Sequence, residues 1–347
     1  MKGRPHGDAP TSVWPVEGFA GLLLRHRAPL IGANCDVLRR GTRCKLPYCG
    51  AEPSIQGMGY GGRGEAEHMD FICLCIRVPK CGSSSLNHAL NAAFADRRTF
   101  FLPDTLYMDG QFSAFHDWRF RRAVRRALRA NYGDPRMAKA LETIGAQARP
   151  GDLISGGHFD YASVKAALPI PARIITILRD PVDRCVSEYN YARAGYLRRG
   201  FLQRIDSKAQ PKIAARYSLV GYLDYLLERR EAYGDLASRL LGWDGAEPLK
   251  AYFAANVFHA GVLEESAAFA YGLSEKLGKP IDFPWDNSTL VREADGADAE
   301  ARRRIEQLYP RDIALYEHQL TEARRPGRRT QAVTIAPKTN RPAPPPA

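Results

Sequence analysis

The chain has 347 residues, 45 % of them hydrophobic, and carries 50 Lys and Arg against 38 Asp and Glu, a formal net charge of +12. That length admits one large domain or two smaller ones with a substantial core, and no run approaches the roughly 18 consecutive apolar residues of a membrane span. The basic excess points to an anionic partner, whether nucleic acid, acidic polysaccharide, phosphorylated cofactor or anionic membrane, without choosing among them.

Residues 1–67 have little periodicity and are expected to be mostly disordered, with one short helix around 19–24. GMGYGGRG at 57–64 reads as a flexible linker. The apolar stretch 19–24 is too short for a span, is followed by Arg25 and Arg27, and lacks the flanks of a secretory signal. An over-extended gene start, with Met58 or Met69 as the true one, is an alternative for this end. Of the seven cysteines, Cys35, Cys44 and Cys49 share no CxxC spacing and have no His following nearby. That argues for incidental thiols over a metal site, and a reducing compartment fits best.

In FICLCIRVPKCGSSSLNHALNAAF (71–94), residues 71–78 are apolar except for Arg77 and read as a buried parallel strand. Leu86, Leu90 and Phe94 have helical spacing. Between them lie Pro79, Lys80, Cys81, Gly82, Ser83, Ser84 and Ser85. Successive backbone N–H groups, small hydroxyls and one ammonium at a helix N-terminus make an anion cradle, expected to take a phosphate. Gly82 lets the chain turn tightly there. The lysine precedes the glycine, so this is not the usual nucleotide-hydrolase order. The structural alternative is a serine-capped helix after a strand.

Residues 100–115 are aromatic and turn-rich, and RFRRAVRRALRA (119–130) reads as a helix with Phe120, Val124 and Leu128 inward. Its six arginines suit an acidic glycan or phosphate, or simply a solvated face. A helix ending at Pro150 and Gly151 is followed by a short strand, 152–155, which runs into GGHFDY (156–161). The paired glycines let the chain bend and set His158 beyond the sheet edge, where it is either a proton-transfer group or a structural histidine. ARIITIL (172–178) is the clearest strand. Asp180 as N-cap and Pro181 at the first helical position then start a helix whose buried face is Val182, Cys185, Val186 and Tyr189. Arg179 and Ser187 can face one anion, the alternative being Arg179 paired with Asp180 or Asp183.

Residues 196–249 read as helical and without evident chemistry, and NVFHAGVL (256–263) as a fourth strand. Glu264 and Glu265 are expected to cap a helix N-terminus, 285–289 to form a polar loop, and 297–323 one long amphipathic helix. The Arg- and Pro-rich tail from Arg324 is expected to be disordered. Strands alternating with helices imply an α/β domain, here 68–321, with a P-loop-like, mainly parallel sheet flanked by helices and disordered ends at 1–67 and 322–347. Lys80, His158 and Arg179 each directly follow a strand, which places all three on one rim.

PKCGSSSL (79–86) and LRDPVDRCVSEYNYAR (178–193) together resemble the two cofactor elements of sulfotransferases, most closely the carbohydrate O-sulfotransferases that include the heparan sulfate 2-O and 6-O enzymes. GGHFDY (156–161) is similar to the segment carrying that group's catalytic histidine, and LYPRDIALYEHQL (308–320) to its C-terminal helix. The resemblance covers roughly 70–321. It implies 3′-phosphoadenosine 5′-phosphosulfate (PAPS) as donor, an acceptor hydroxyl on a carbohydrate, and no metal; the basic helix near Arg125 is compatible with an acidic polysaccharide as acceptor, a neutral glycan being the alternative. It further implies that Lys80, Gly82, Ser83, Ser84 and Ser85 hold the 5′-phosphosulfate. Arg179 and Ser187 would hold the 3′-phosphate, and His158 would be the general base. Cys81 stands where a Thr or other small residue is frequent, and Asp160 falls at a variable position.

Eukaryotic relatives usually carry a Golgi membrane anchor. None is visible here, so a soluble, cytoplasmic enzyme is expected, with membrane association or the Golgi lumen as the alternative for a eukaryotic fragment. No nucleic-acid partner is expected. The rival readings are a P-loop-like nucleotide kinase and a non-catalytic anionic-glycan-binding protein. A kinase needs Gly-Lys-Ser/Thr and an acidic magnesium ligand after a strand, and neither is found.

Overall fold

The first strand, β1 (Ile72–Cys75), is buried on both faces, as expected for the centre of a parallel sheet whose residues have no polar side to offer water. The computed structural model describes residues 69–105, 114–205, 207, 209–283 and 296–325. The expectations for 1–67, for Cys35, Cys44 and Cys49, for the loop 285–289 and for the tail beyond 325 fall outside them. After β1 come α1 (Ser83–Ala93), β2 (Thr99–Leu102), α2 (Ala114–Tyr132), α3 (Met137–Gln147), β3 (Leu153–Gly156), α4 (Tyr161–Ala167) and β4 (Ala172–Leu178). A helical stretch follows: α5 (Pro181–Leu197), α6 (Phe201–Ile205), α7 (Ala209–Arg216), α8 (Leu219–Leu227), α9 (Arg230–Tyr233), α10 (Leu236–Leu241) and α11 (Leu249–Asn256). The chain then forms β5 (Val257–Val262), α12 (Ser266–Leu277), α13 (Ala299–Leu308) and α14 (Pro310–Arg324).

The sheet runs β2-β3-β1-β4-β5, with every pairing parallel. Leu74 sits opposite Ile154 on one side and Ile174 on the other. The period of two sorts β1 into two layers. Ile72 and Leu74 join a core with Ile144 of α3, Val164 of α4, Leu240 of α10, Tyr252 of α11 and Leu315 of α14. Cys73 and Cys75 face Leu86 and Leu90 of α1 and Phe269 and Leu273 of α12 on the other side. This is an α/β fold with a parallel sheet covered by helices on both faces. A third apolar cluster, built from α5, α7, α8 and α13, packs Tyr189, Tyr222 and Ile305 together away from the sheet.

Two expectations need correction. The stretch read as aromatic and turn-rich contains β2, an edge strand with alternating burial, in which Phe100 and Leu102 are buried and Thr99 and Phe101 exposed. Four residues with two exposed give too short an alternation to stand out among aromatic neighbours. The single long helix expected at 297–323 is two helices, because Pro310 has no N–H to continue α13 and instead occupies the first position of α14.

The topology places the candidate residues. The chain leaves β1 for β2 on one side of the sheet, while β3 connects across β1 to β4 on the other. The crevice at such a reversal, beyond the carboxyl ends of the strands, is where ligands of open α/β sheets bind. The loops after β1, β3 and β4, three adjacent central strands, carry Lys80, His158 and Arg179.

Candidate active site

The loop after β1 turns through two left-handed residues, Lys80 with φ 65° and Gly82 with φ 71°. Gly82 is the N-cap of α1, and no side chain caps that helix end. The serine-capped alternative is therefore not what forms. The backbone N–H groups of the first turn are left to another acceptor, and the helix dipole favours an anion there. A Cβ on Gly82 would come within 2.7 Å of Leu263 Cδ1, so the tight loop also depends on a side chain arriving from the end of β5. Ser83 and Ser85 are buried, while Ser84 is half-buried and accepts a hydrogen bond from Arg77 Nη2 at 3.2 Å.

Arg77 was read only as an interruption in an apolar strand, and it proves to be the strut of the site. Its guanidinium donates through Nη1 to the Gly156 carbonyl as well as to Ser84, tying the end of β3 to the loop after β1. Its own carbonyl lies 2.6 Å from His158 Nδ1. A carbonyl can only accept, so Nδ1 carries the proton and the neutral ring has its lone pair on Nε2. The signal in the sequence was the charge itself, since a cation inside a buried strand needs partners.

His158 is held at its backbone too. Gly156, with φ 133°, lets the chain pass against residues 101 and 102 and Gly157 against 103 and 104, and Thr105 N–H donates to the His158 carbonyl at 2.9 Å. At the end of β4, Asp180 caps α5 through its carboxylate, accepting from Val182 N at 2.7 Å and Asp183 N at 3.2 Å. Arg179 pairs with neither Asp180 nor Asp183. Its Nη1 reaches the Lys80 carbonyl at 3.4 Å, which draws the second cation against the loop. Ser187 is half-buried on the second turn of α5. Glu264 was expected to cap its own helix, but it instead accepts the Asp180 N–H at 3.0 Å.

The Lys80 ammonium lies 4.1 Å from the centre of the Tyr191 ring. Its pKa is lowered, chiefly by burial, with Glu188 opposing the shift and Arg179 adding to it. Glu188 belongs to a buried polar network under the loop. Its carboxylate accepts from Arg184 Nη1 at 3.2 Å and from Gln210 Nε2 at 2.6 Å. The Arg184 guanidinium, 1 % exposed, stacks 4.4 Å over the Tyr309 ring and stands 3.9 Å from the Asp312 carboxylate. Asp312 in turn accepts from Ala237 N, Ser238 N and Ser238 Oγ at 3.0, 2.8 and 2.9 Å. Burial raises the Asp312 pKa, against the pull of Arg184 and those three donors.

The structure thus brings Lys80, Gly82, Ser83, Ser84 and Ser85 together with Arg179, and joins His158 to them through Arg77. Sequence reasoning passed over Arg77, Glu188, Tyr191 and the Arg184–Asp312 pair. Apart from the strand-breaking charge of Arg77, these are contacts between segments far apart along the chain. The arginine helix α2 stands apart. Trp118, Arg119, Arg122, Ala123 and Arg126 line an open groove of about 400 Å³, and Arg122 lies 5.3 Å over the Trp118 ring. None of Lys80, His158 or Arg179 lines it.

A parallel sheet carries a lysine loop after its central strand, and an arginine from the neighbouring strand closes on that loop. The sulfotransferase domain family model matches residues 73–254, more than half of the chain, and the protein belongs to that family. No curated protein matches the chain. Membership makes the protein a transferase of sulfur-containing groups, working with a sulfuryl donor and an acceptor substrate. Among the described residues, no helix is long and apolar enough to cross a membrane.

Proposed function

We propose that the protein moves the sulfuryl group of PAPS to a hydroxyl of a carbohydrate. The observation that supports this reading is that Lys80, His158 and Arg179 stand in the loops after three adjacent parallel strands, with the His158 ring on the Arg77 carbonyl and the Arg179 guanidinium against the Lys80 carbonyl, beside an uncapped helix N-terminus. The cradle fits a polyanionic nucleotide. Its donors are backbone N–H groups, small hydroxyls and two cations, and among the described residues no carboxylate pairs with Lys80 or Arg179. When bound, PAPS supplies the activated sulfuryl group. Lys80, with the first turn of α1, holds the 5′-phosphosulfate and neutralises the charge that grows on the bridging oxygen. Arg179 and Ser187 hold the 3′-phosphate. His158, its tautomer set by the Arg77 carbonyl, takes the acceptor hydroxyl proton at Nε2.

Sulfuryl transfer, like phosphoryl transfer, asks mainly for in-line positioning and stabilisation of charge on the leaving oxygen. Loss of Lys80 should therefore cost roughly 10²–10³ in rate, and loss of His158 roughly 10²–10⁴. The strongly basic face of α2 supports an acidic polysaccharide as acceptor. The test is labelled-sulfate transfer from PAPS to a panel of acidic and neutral glycans. Wild type should label an acidic member, and His158→Ala should lower transfer by roughly 10²–10⁴ while still binding adenosine 3′,5′-bisphosphate. Unchanged transfer in His158→Ala would remove the base assignment. Labelling of neutral glycans alone would remove the acidic acceptor.

A further inference from the structure

Lys80 is a difficult residue to keep in place. Its φ of 65° lies in the left-handed region, which a Cβ disfavours, and Arg179 stands against its carbonyl with like charge. A four-carbon stem has many rotamers that would swing the ammonium into water. A site made of two cations repels itself until an anion arrives, so something must hold the lysine inward beforehand.

What meets the ammonium is an aromatic face. Nζ lies 4.1 Å from the centre of the Tyr191 ring, within the range at which a ring quadrupole attracts a cation. Tyr191 stands four residues after Ser187 on α5, so ring and hydroxyl share one stripe of that helix. The ring is 60 % exposed and contributes little to the core. Glu188, between them in sequence, favours the charged form of the lysine. An ammonium has three N–H donors, so it can rest on the ring and still donate to a phosphate.

We infer that Tyr191 is a positioning residue for Lys80: its ring face holds the ammonium in the donor cleft before the donor binds, so that little side-chain freedom is lost on binding. The inference rests on the proposed assignment of Lys80 to the donor's 5′-phosphosulfate. It assigns no contact between Tyr191 and the nucleotide.

Calorimetric titration with adenosine 3′,5′-bisphosphate tests it in wild type, Tyr191→Phe, Tyr191→Leu, Lys80→Ala and the Lys80→Ala/Tyr191→Leu double variant. Tyr191→Leu should bind about three- to tenfold more weakly, and Tyr191→Phe, which keeps the ring, within about twofold of wild type. In the Lys80→Ala background, Tyr191→Leu should cause no further loss, because its effect passes through the lysine. Wild-type affinity in Tyr191→Leu, a loss as large without Lys80 as with it, or failure of Tyr191→Phe to restore binding would each overturn the inference. If Lys80→Ala binds as well as wild type, the assignment of Lys80 fails and the inference with it. If Lys80→Ala weakens binding and Tyr191→Leu does not, only the inference fails.

Discussion

Gly157→Ala tests the seat of the candidate base most severely. A Cβ there would lie 2.1 Å from the Asp104 nitrogen, 2.4 Å from its Cα and 2.5 Å from the Pro103 carbonyl carbon. All three are main-chain atoms, so no flexible side chain can give way. The backbone on both sides is pinned, since Gly157 N–H donates to the Leu102 carbonyl at 2.7 Å and Thr105 N–H to the His158 carbonyl at 2.9 Å. Relieving the overlap breaks at least one of these bonds, at about 1 kcal/mol each, on top of about 1–3 kcal/mol for overpacking. A total near 3 kcal/mol is a large share of the roughly 5–15 kcal/mol that holds a domain together. Urea unfolding should show a lower midpoint with an unchanged slope. Transfer of labelled sulfate should fall further than affinity for adenosine 3′,5′-bisphosphate, because the displaced segment carries His158 and not the loop after β1 that holds Lys80. Gly195→Ala is the control: nothing lies within 4 Å of its Cβ position on α5, and the substitution should be neutral or stabilise by about 0.5–1 kcal/mol. A Gly157→Ala protein with the wild-type midpoint and rate would refute the reasoning.

Three further outcomes are expected. Burial pushes the thiols of Cys73, Cys75, Cys81 and Cys185 up to about 12, so iodoacetamide at neutral pH should leave all four unmodified in native protein by peptide mass spectrometry, and rapid labelling of Cys81 would contradict its burial in the loop. Asp312→Ala removes the carboxylate facing buried Arg184 and strands three donors on α10; the expected loss is about 3–5 kcal/mol in urea unfolding, and a change below about 1 kcal/mol would contradict it. Because burial lowers the Lys80 pKa, its charge is present at low pH and lost as pH rises, at a point below the usual lysine value of about 10.4. Affinity for adenosine 3′,5′-bisphosphate should therefore decline on the alkaline side before an ordinary lysine would titrate, and Lys80→Ala should flatten that limb.

Four of the five strands and the turn after β1 were legible in the sequence because their causes are local. ARIITIL at 172–178 matches β4 residue for residue, and Asp180 followed by Pro181 starts α5 where the capping chemistry requires. The expected buried face of α5 holds for Cys185, Val186 and Tyr189, while Val182 is half-buried. Hidden from the sequence were contacts that only the fold creates. Arg184 is fully buried on the same helix because Asp312, more than a hundred residues later, arrives beside it. β2 escaped notice because an edge strand of four residues hides only half its side chains. Glu264 looked like a cap for the helix that follows it, and it instead accepts the Asp180 N–H at the end of the neighbouring strand.

A 3′-phosphate is what separates the proposed donor, PAPS, from ordinary adenylates, and Arg179 and Ser187 are proposed to hold it. Calorimetric titration of wild type and Arg179→Ala with adenosine 3′,5′-bisphosphate and with adenosine 5′-monophosphate reads that contact directly. The wild type should prefer the bisphosphate by about tenfold or more, as a charge-assisted contact of about 1.5–3 kcal/mol implies, and Arg179→Ala should erase the preference. Equal affinity of the wild type for the two nucleotides would contradict the assignment of Arg179 and Ser187, and with it PAPS as the donor.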